Sequence, residues 1–301
     1  MALSTLSGDE QSIILGQLRN ALEPRLVMYF SSASKELRAL LTLAEQQQLQ
    51  AGYEEATALC LKVGLRGCKA LREATRFRWW YKGLSAADLA TLAKLGSVLP
   101  SLESLLLYDS SGSFNSDGVQ RLAEGLVAGA LPAVTCLCID SMHVGEAGAS
   151  AIAAALDRGA MPRLEELRLS DAAIGDAALA ALVPALRRRP ALEGLKISGN
   201  PFGDEGLATL VAPPPPAAGT PPRPAGGLKK LEELDIEDTG ITDAGCATLA
   251  AALDSGALPA LEELHLIDGN PVSITATDAV WAALARSRAA ALGELQLLPE
   301  E

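Results

Sequence analysis

The segment Leu192-Glu-Gly-Leu195-Lys-Ile197-Ser-Gly-Asn200-Pro-Phe-Gly-Asp204-Glu-Gly-Leu207 is one copy of a unit that returns about every 28 to 32 residues. Its core pattern, Leu-x-x-Leu-x-Leu, aligns at Leu102/Leu105/Leu107, Val134/Leu137/Ile139, Leu164/Leu167/Leu169, Leu192/Leu195/Ile197, Leu231/Leu234/Ile236, Leu261/Leu264/Leu266 and Leu292/Leu295/Leu297. A degenerate aromatic copy, Ala74/Phe77/Trp79, precedes them at the same spacing. A unit this small cannot bury its apolar side alone, so the period specifies stacked layers, a solenoid, and a solenoid is usually a surface for holding something else.

Within each unit the last two apolar residues alternate with polar ones, the period of a strand with one buried face, and an Ala/Leu-rich helical stretch follows. Each unit therefore reads as strand, turn, helix. Ser85-Ala-Ala-Asp88 is a capping-box pattern, and Asp176, Asp204 and Asp243 place carboxylates at the positive ends of helices. Pro100, Pro132, Pro162, Pro190 and Pro259 each stand two residues before the first strand leucine, where they end the helix and set an extended conformation.

Over residues 74 to 298 these features resemble the ribonuclease-inhibitor type of leucine-rich repeat, the long class with a full helix in each unit. The resemblance implies an α/β horseshoe arc, with a parallel sheet on the concave face and helices on the convex face. One departure is that the Asn usual after the strand occurs only as Asn200, while the equivalent places hold Ser110, Met142, Ala172, Thr239 and Gly269. The hydrogen-bond ladder along that turn is expected to be incomplete.

Residues 1–70 do not repeat and read as a helical cap, with breaks near Glu23-Pro24, Phe30-Ser31 and Gly52; residues 71–301 form the repeat domain, interrupted by a Pro-rich loop at 212–227. The first strand of a solenoid needs such a cover for its backbone edge. Pro221-Pro-Arg-Pro224 in the loop is a minimal polyproline-ligand pattern, with an idle surface loop as the plainer reading. Within the cap, Ile13-Ile-Leu-Gly-Gln-Leu18 to Pro24, followed by Phe30 and Ser34 to Leu40, resembles an F-box over residues 12–40. The usual Leu-Pro opening is absent and Leu37-Arg-Ala-Leu40 replaces the Trp-containing end. That resemblance implies docking to a ubiquitin-ligase adaptor.

Composition narrows the function. The chain has 301 residues, 49% hydrophobic but only 4% aromatic, so thin layers of Leu, Ala, Val and Ile suit it better than a bulky centre. A net charge of -12 disfavours a phosphate backbone as ligand, despite the basic-aromatic run Arg76-Phe-Arg-Trp-Trp-Tyr-Lys82. No stretch reads as a signal peptide or a membrane span, and the odd number of cysteines at irregular spacing (Cys60, Cys68, Cys136, Cys138, Cys246) fits reduced thiols. The expected location is the cytoplasm, with the nucleus equally compatible.

Alternation places the third, fifth and seventh residues of each strand unit on the open face. The contact candidates are Arg76, Arg78 and Trp80; Tyr108; Asp140; Arg168; Lys196; Glu233, Asp235 and Glu237; and Glu263 and His265, with Glu294, Gln296 and Leu298 from the last strand. The face runs from basic and aromatic to acidic. A basic segment of a protein partner fits Glu233, Asp235, Glu237 and Glu263, with Trp80 and Tyr108 as apolar anchors; a solvated face on an acidic chain is the other reading.

A second column, Glu103, Glu165, Glu193, Glu232 and Glu262, is expected to be screened by Arg163, Lys229 and Lys230. A linear ladder does not converge six or more oxygens on one calcium ion, so neither metal nor cofactor is expected. His265 falls across from Asp235, but register brings no Ser or Cys beside it to act as nucleophile. Cys136 and Cys138 lack the further ligands of a zinc site. The expected protein is a non-enzymatic interaction scaffold: a helical cap, seven complete repeats and an eighth strand. The alternatives are an F-box substrate receptor and a ribonuclease-inhibitor-like inhibitor.

Overall fold

Apolar residues two apart on a short strand need a surface to cover them, and each unit finds it in its own helix. The computed structural model describes residues 7–18, 20–32, 41–109, 116–212 and 228–296. Seven strands form one parallel sheet in chain order: β1 (Arg76–Trp80), β2 (Ser104–Tyr108), β3 (Cys136–Asp140), β4 (Glu166–Arg168), β5 (Gly194–Lys196), β6 (Glu233–Asp235) and β7 (Glu263–His265). Their register stacks Phe77, Leu105, Leu137, Leu167, Leu195, Leu234 and Leu264 in a single row. All seven are buried, so the row is a continuous core and the fold is an α/β leucine-rich solenoid.

Helices α1 (Gly8–Leu18), α2 (Pro24–Ser32), α3 (Leu43–Val63) and α4 (Cys68–Glu73) precede the sheet. Then α5 (Ala86–Leu95), α6 (Ser116–Gly125), α7 (Gly145–Asp157), α8 (Asp176–Arg187), α9 (Asp204–Val211) and α10 (Asp243–Asp254) alternate with the strands, and α11 (Ile274–Gln296) follows β7. Consecutive helices from α5 to α11 pack side by side.

Polar side chains tie each layer to the next. The capping box of α5 forms as the sequence specifies, with Ser85 Oγ accepting from Asp88 N and Asp88 Oδ2 accepting from Ser85 N. The Asp residues that open later helices act on their neighbours as well. Asp176 Oδ1 accepts from the N–H groups of Gly203 (2.9 Å) and Gly206 (2.7 Å) at the start of α9. Asp204 accepts from Thr242 N and Oγ1 before α10, and Asp243 from Ser273 N before α11. Each carboxylate thus meets the orphan donors of the following helix. At the opposite ends, Arg158 donates to Ala123 O (2.9 Å) and Leu126 O (3.2 Å), satisfying carbonyls at the end of α6.

Asn200 is buried beside the strand ends, donating to Leu169 O (2.7 Å) and Ile197 O (2.8 Å) and accepting from Ala172 N (3.0 Å) and Ile174 N (2.8 Å). The ladder has a second rung that the alignment missed. Asn270, displaced by one residue from the equivalent position held by Gly269, donates to Ile236 O and Leu266 O and accepts from Thr239 N and Oγ1.

Three expectations are corrected. The proposed eighth strand does not form, because α11 runs on through Leu292, Glu294, Leu295 and Gln296. No proline stands two residues before Leu292; that position is Ala290, inside Ala289-Ala-Ala291, and alanine favours continued helix. Leu298 lies outside the described residues. The break at Gly52 is absent: α3 passes through it, and a Cβ there would lie 3.3 Å from Ala21 Cβ, so the glycine permits close packing of the preceding loop. Likewise α2 continues past Phe30-Ser31 to Ser32.

The helical block is part of the same core, with Leu22, Ala56, Leu59, Cys60, Val63, Cys68 and Leu71 clustering with Phe77 and Trp79. Those two rings stack at 4.6 Å and fill the junction, as register predicts. Leu15, Val27 and Leu41 form a separate small cluster. Ser34 to Leu40 of the F-box-like segment lie outside the described residues, as do residues 213–227 of the Pro-rich loop with its Pro221-Pro-Arg-Pro224 pattern.

Candidate interaction face

With the leucines turned to the helices, the residues between them line the other side of the sheet. Register aligns them in columns. One reads Arg76, Ser104, Cys136, Glu166, Gly194, Glu233, Glu263, and the next Arg78, Leu106, Cys138, Arg168, Lys196, Asp235, His265. Trp80, Tyr108 and Asp140 begin a third. Apart from Cys138 and Gly194, all these positions are exposed or partly exposed.

At the β1 end Arg76 and Arg78 are exposed, and among the described residues neither makes an ion pair. Trp80 is 56% and Tyr81 62% exposed, and Tyr81 meets Tyr108 edge-on at 5.2 Å. Tyr81 has positive φ, but so do Ser141, Asp171, Gly199 and Asp238 at the same offset in their units. The left-handed turn belongs to the repeat. At Gly199 a side chain would not fit, since a Cβ would fall 2.2 Å from Asp171 Oδ1.

In the middle, charges neutralise one another. Arg168 pairs with Glu166 at 2.6 Å, and Lys196 pairs with Glu233. Asp140 accepts from Cys138 Sγ (3.0 Å) and Ser170 N (2.9 Å), which makes it a brace between β3 and the turn after β4. Burial and then Glu166 push the Cys136 thiol up to about 11; burial and then Asp140 push Cys138 higher still. Both are neutral at pH 7, so neither is an activated nucleophile.

At the β7 end Asp235 accepts from Ser198 Oγ (2.9 Å), and Glu263 and His265 are exposed. His265 lies opposite Asp235 as expected, yet its ion-pair contact is Glu233, with Nε2 at 3.8 Å from Oε1. The ligand atoms of Glu233, Glu263 and His265 lie within 4.8 Å of one another, though the Lys196 ammonium already sits on Glu233. Burial, followed by the charges of Asp235 and Asp268, raises the Glu237 carboxyl above its usual range.

The second carboxylate column is real, but its screening is not. Among the described residues Arg163, Lys229 and Lys230 make no ion pair with Glu103, Glu165, Glu193, Glu232 or Glu262. Glu165, Glu166, Glu193, Glu232 and Glu233 surround an open groove of about 290 Å³ that Gly194 deepens by lacking a side chain.

A layered repeat protein with one face covered by helices and the other left open is thereby defined. A family model described as Leucine Rich repeat matches residues 161–183, 192–211 and 227–250, all within the repeating part of the chain. No curated protein matches its sequence. Among solved structures, the chain is similar to the tropomodulin C-terminal domain of Caenorhabditis elegans, with 19% identity over 52% of this chain and 87% of that one and a TM-score of 0.38. It is also similar to Leiomodin-1 Actin-Binding Site 2, with 15% identity over 70% of this chain and 95% of that one and a TM-score of 0.38. Among the described residues no helix is long and apolar enough to cross a membrane.

Proposed function

We propose that this chain is a non-enzymatic protein-binding scaffold of the ribonuclease-inhibitor repeat type that holds a partner against the open face of its sheet. The observation that carries this reading is the sorting of that face, with exposed Trp80 and half-buried Tyr108 beside two arginines that make no ion pair among the described residues at one end and Glu233, Asp235, Glu237 and Glu263 at the other. Neighbouring strands are about 4.8 Å apart, so like charges stacked on them repel by on the order of 1 kcal/mol per pair even in water. A basic segment of a partner relieves that repulsion, and the aromatic pair supplies the desolvated contact on which affinity usually rests. Five free thiols, four of them buried, fit a reducing cytoplasmic or nuclear setting.

The test is affinity purification from the native source, wild type against Glu233→Lys/Asp235→Lys. Loss of one specific protein from the double variant is the expected result; equal recovery retires the reading. A second reading, the F-box-type receptor, is favoured by the exposed apolar residues Ile13, Leu26, Met28 and Tyr29 on α1 and α2. It predicts co-purification of a ubiquitin-ligase adaptor that Ile13→Asp/Tyr29→Asp abolishes while the open face is intact.

A further inference from the structure

We infer that the open face takes an extended segment of divided charge, acidic over β1–β2 and basic over β6–β7, lying across the strands in one direction only. This rests on the reading of the open face as the binding surface and specifies what that surface selects.

The two ends differ in sign and both have charge to spare. Arg76 and Arg78 at β1 make no ion pair among the described residues, while the interior cations Arg168 and Lys196 are already held by Glu166 and Glu233. Asp235, Glu237 and Glu263 make no ion pair among the described residues either. A ligand of one sign is attracted at one end and repelled at the other. A ligand of divided charge is attracted at both.

The middle determines the ligand's form. Ser104, Cys136, Ser170, Gly194 and Ser198 present little bulk on either side of the Arg168–Glu166 and Lys196–Glu233 pairs, so a backbone can lie close to the sheet beside those neutralised pairs, between the aromatic group and the acidic end. From β1 to β7 there are six strand intervals, about 29 Å at the usual spacing. An extended chain covers that in about nine residues. The groove beside Gly194 opens next to the basic half of the path, where Glu165, Glu193 and Glu232, which make no ion pair among the described residues, can surround one lysine or arginine side chain. Charge order along so short a segment fixes its direction, because reversal sets acid on acid and base on base.

The experiment uses the full chain and two synthetic dodecapeptides of identical composition. One has four acidic residues, four Gly/Ser and four basic residues in blocks; the other alternates acid and base. Fluorescence anisotropy at low salt is expected to show the block peptide binding at least tenfold more tightly, with both Arg76→Glu/Arg78→Glu and Glu233→Lys/Asp235→Lys removing the difference. A photo-crosslinker on the acidic end should label the β1–β2 side, and one on the basic end the β6–β7 side. Combining all four reversals in one protein should swap the labels. Equal binding of the two peptides, or labels spread over both ends, overturns the inference. So does sedimentation showing that the face is occupied by a second copy, acidic end on basic end. If the peptides fail to discriminate while open-face reversals still lose the native partner, the binding face stands and only its polarity falls. Circular dichroism of each variant checks that the substitutions at exposed Arg76 and Arg78 and at half-buried Glu233 and Asp235 leave the fold intact.

Discussion

The two sides of the same seven strands obey different rules. On the helix side, Leu105, Leu137, Leu167, Leu195, Leu234 and Leu264 repeat one residue type from layer to layer, because each fills the same space between two identical neighbours. On the open side the same register carries Ser, Cys, Glu, Gly and Glu in one column, and no packing constraint demands that they match. Stability is therefore concentrated on one face, leaving the other free to carry a charge pattern. The lesson is that moving a substitution one residue along a strand changes its consequence entirely, by changing which side of the sheet it reaches.

The largest effect that sharpens this contrast is at Leu195, wholly buried in the fifth strand. Leu195→Ala is expected to destabilise by about 3–4 kcal/mol through lost burial and a residual cavity. Thermal unfolding followed by far-UV circular dichroism checks it. Because each layer leans only on its neighbours, hydrogen exchange should accelerate first in β4 to β6. A loss below about 1 kcal/mol breaks the comparison, since the row would then not be the source of stability.

The next effect is polar. Asn200→Ala leaves Leu169 O, Ile197 O, Ala172 N and Ile174 N without their side-chain partner in a buried turn. The expected cost is about 2–3 kcal/mol, because buried groups stripped of a partner retain their desolvation penalty. Faster exchange of the Ala172 and Ile174 amides would locate the damage. Asn270→Ala, at a less buried rung, should cost about half as much.

These residues also show what the sequence could and could not reveal. The strand registers were legible because the paired leucines two apart alternate with polar residues and follow a helix-ending proline in most units. The open-face columns follow from the same alternation, which the strand pairing from Arg76 to His265 reproduces as register, not as partner contact. The missing eighth strand shows the limit, since Leu292/Leu295/Leu297 keeps the spacing but lacks the proline that stands two residues before five of the other six leucine units. Asn270 escaped alignment through a one-residue insertion. The Asp176, Asp204 and Asp243 bridges were invisible for another reason. Each looked like a local helix cap, and only the stacked fold shows that its carboxylate also reaches the next unit. Long charged side chains were the least legible. Lys196 is in register with Asp235, yet its flexible stem carries the ammonium to Glu233 instead.

The smallest effect belongs to the open face and has the opposite sign. Glu237 has its carboxyl pKa raised by burial, then by Asp235 and Asp268, with Asp238 adding and His265 opposing. A carboxyl whose folded pKa lies above its unfolded value holds its proton more tightly in the folded state. Ionising it therefore disfavours folding, so its contribution is least favourable above the folded pKa and vanishes below the unfolded one. Glu237→Gln should accordingly stabilise at pH 7, by no more than about 0.5 kcal/mol because solvent screens the site. The gain should disappear as pH falls below the ordinary glutamate range of about 4.3. Paired urea titrations at pH 7 and pH 4 measure the sign directly. Destabilisation at pH 7 would mean that Glu237 already has a compensating cation, and that the acidic end of the face is not an unmet demand for one.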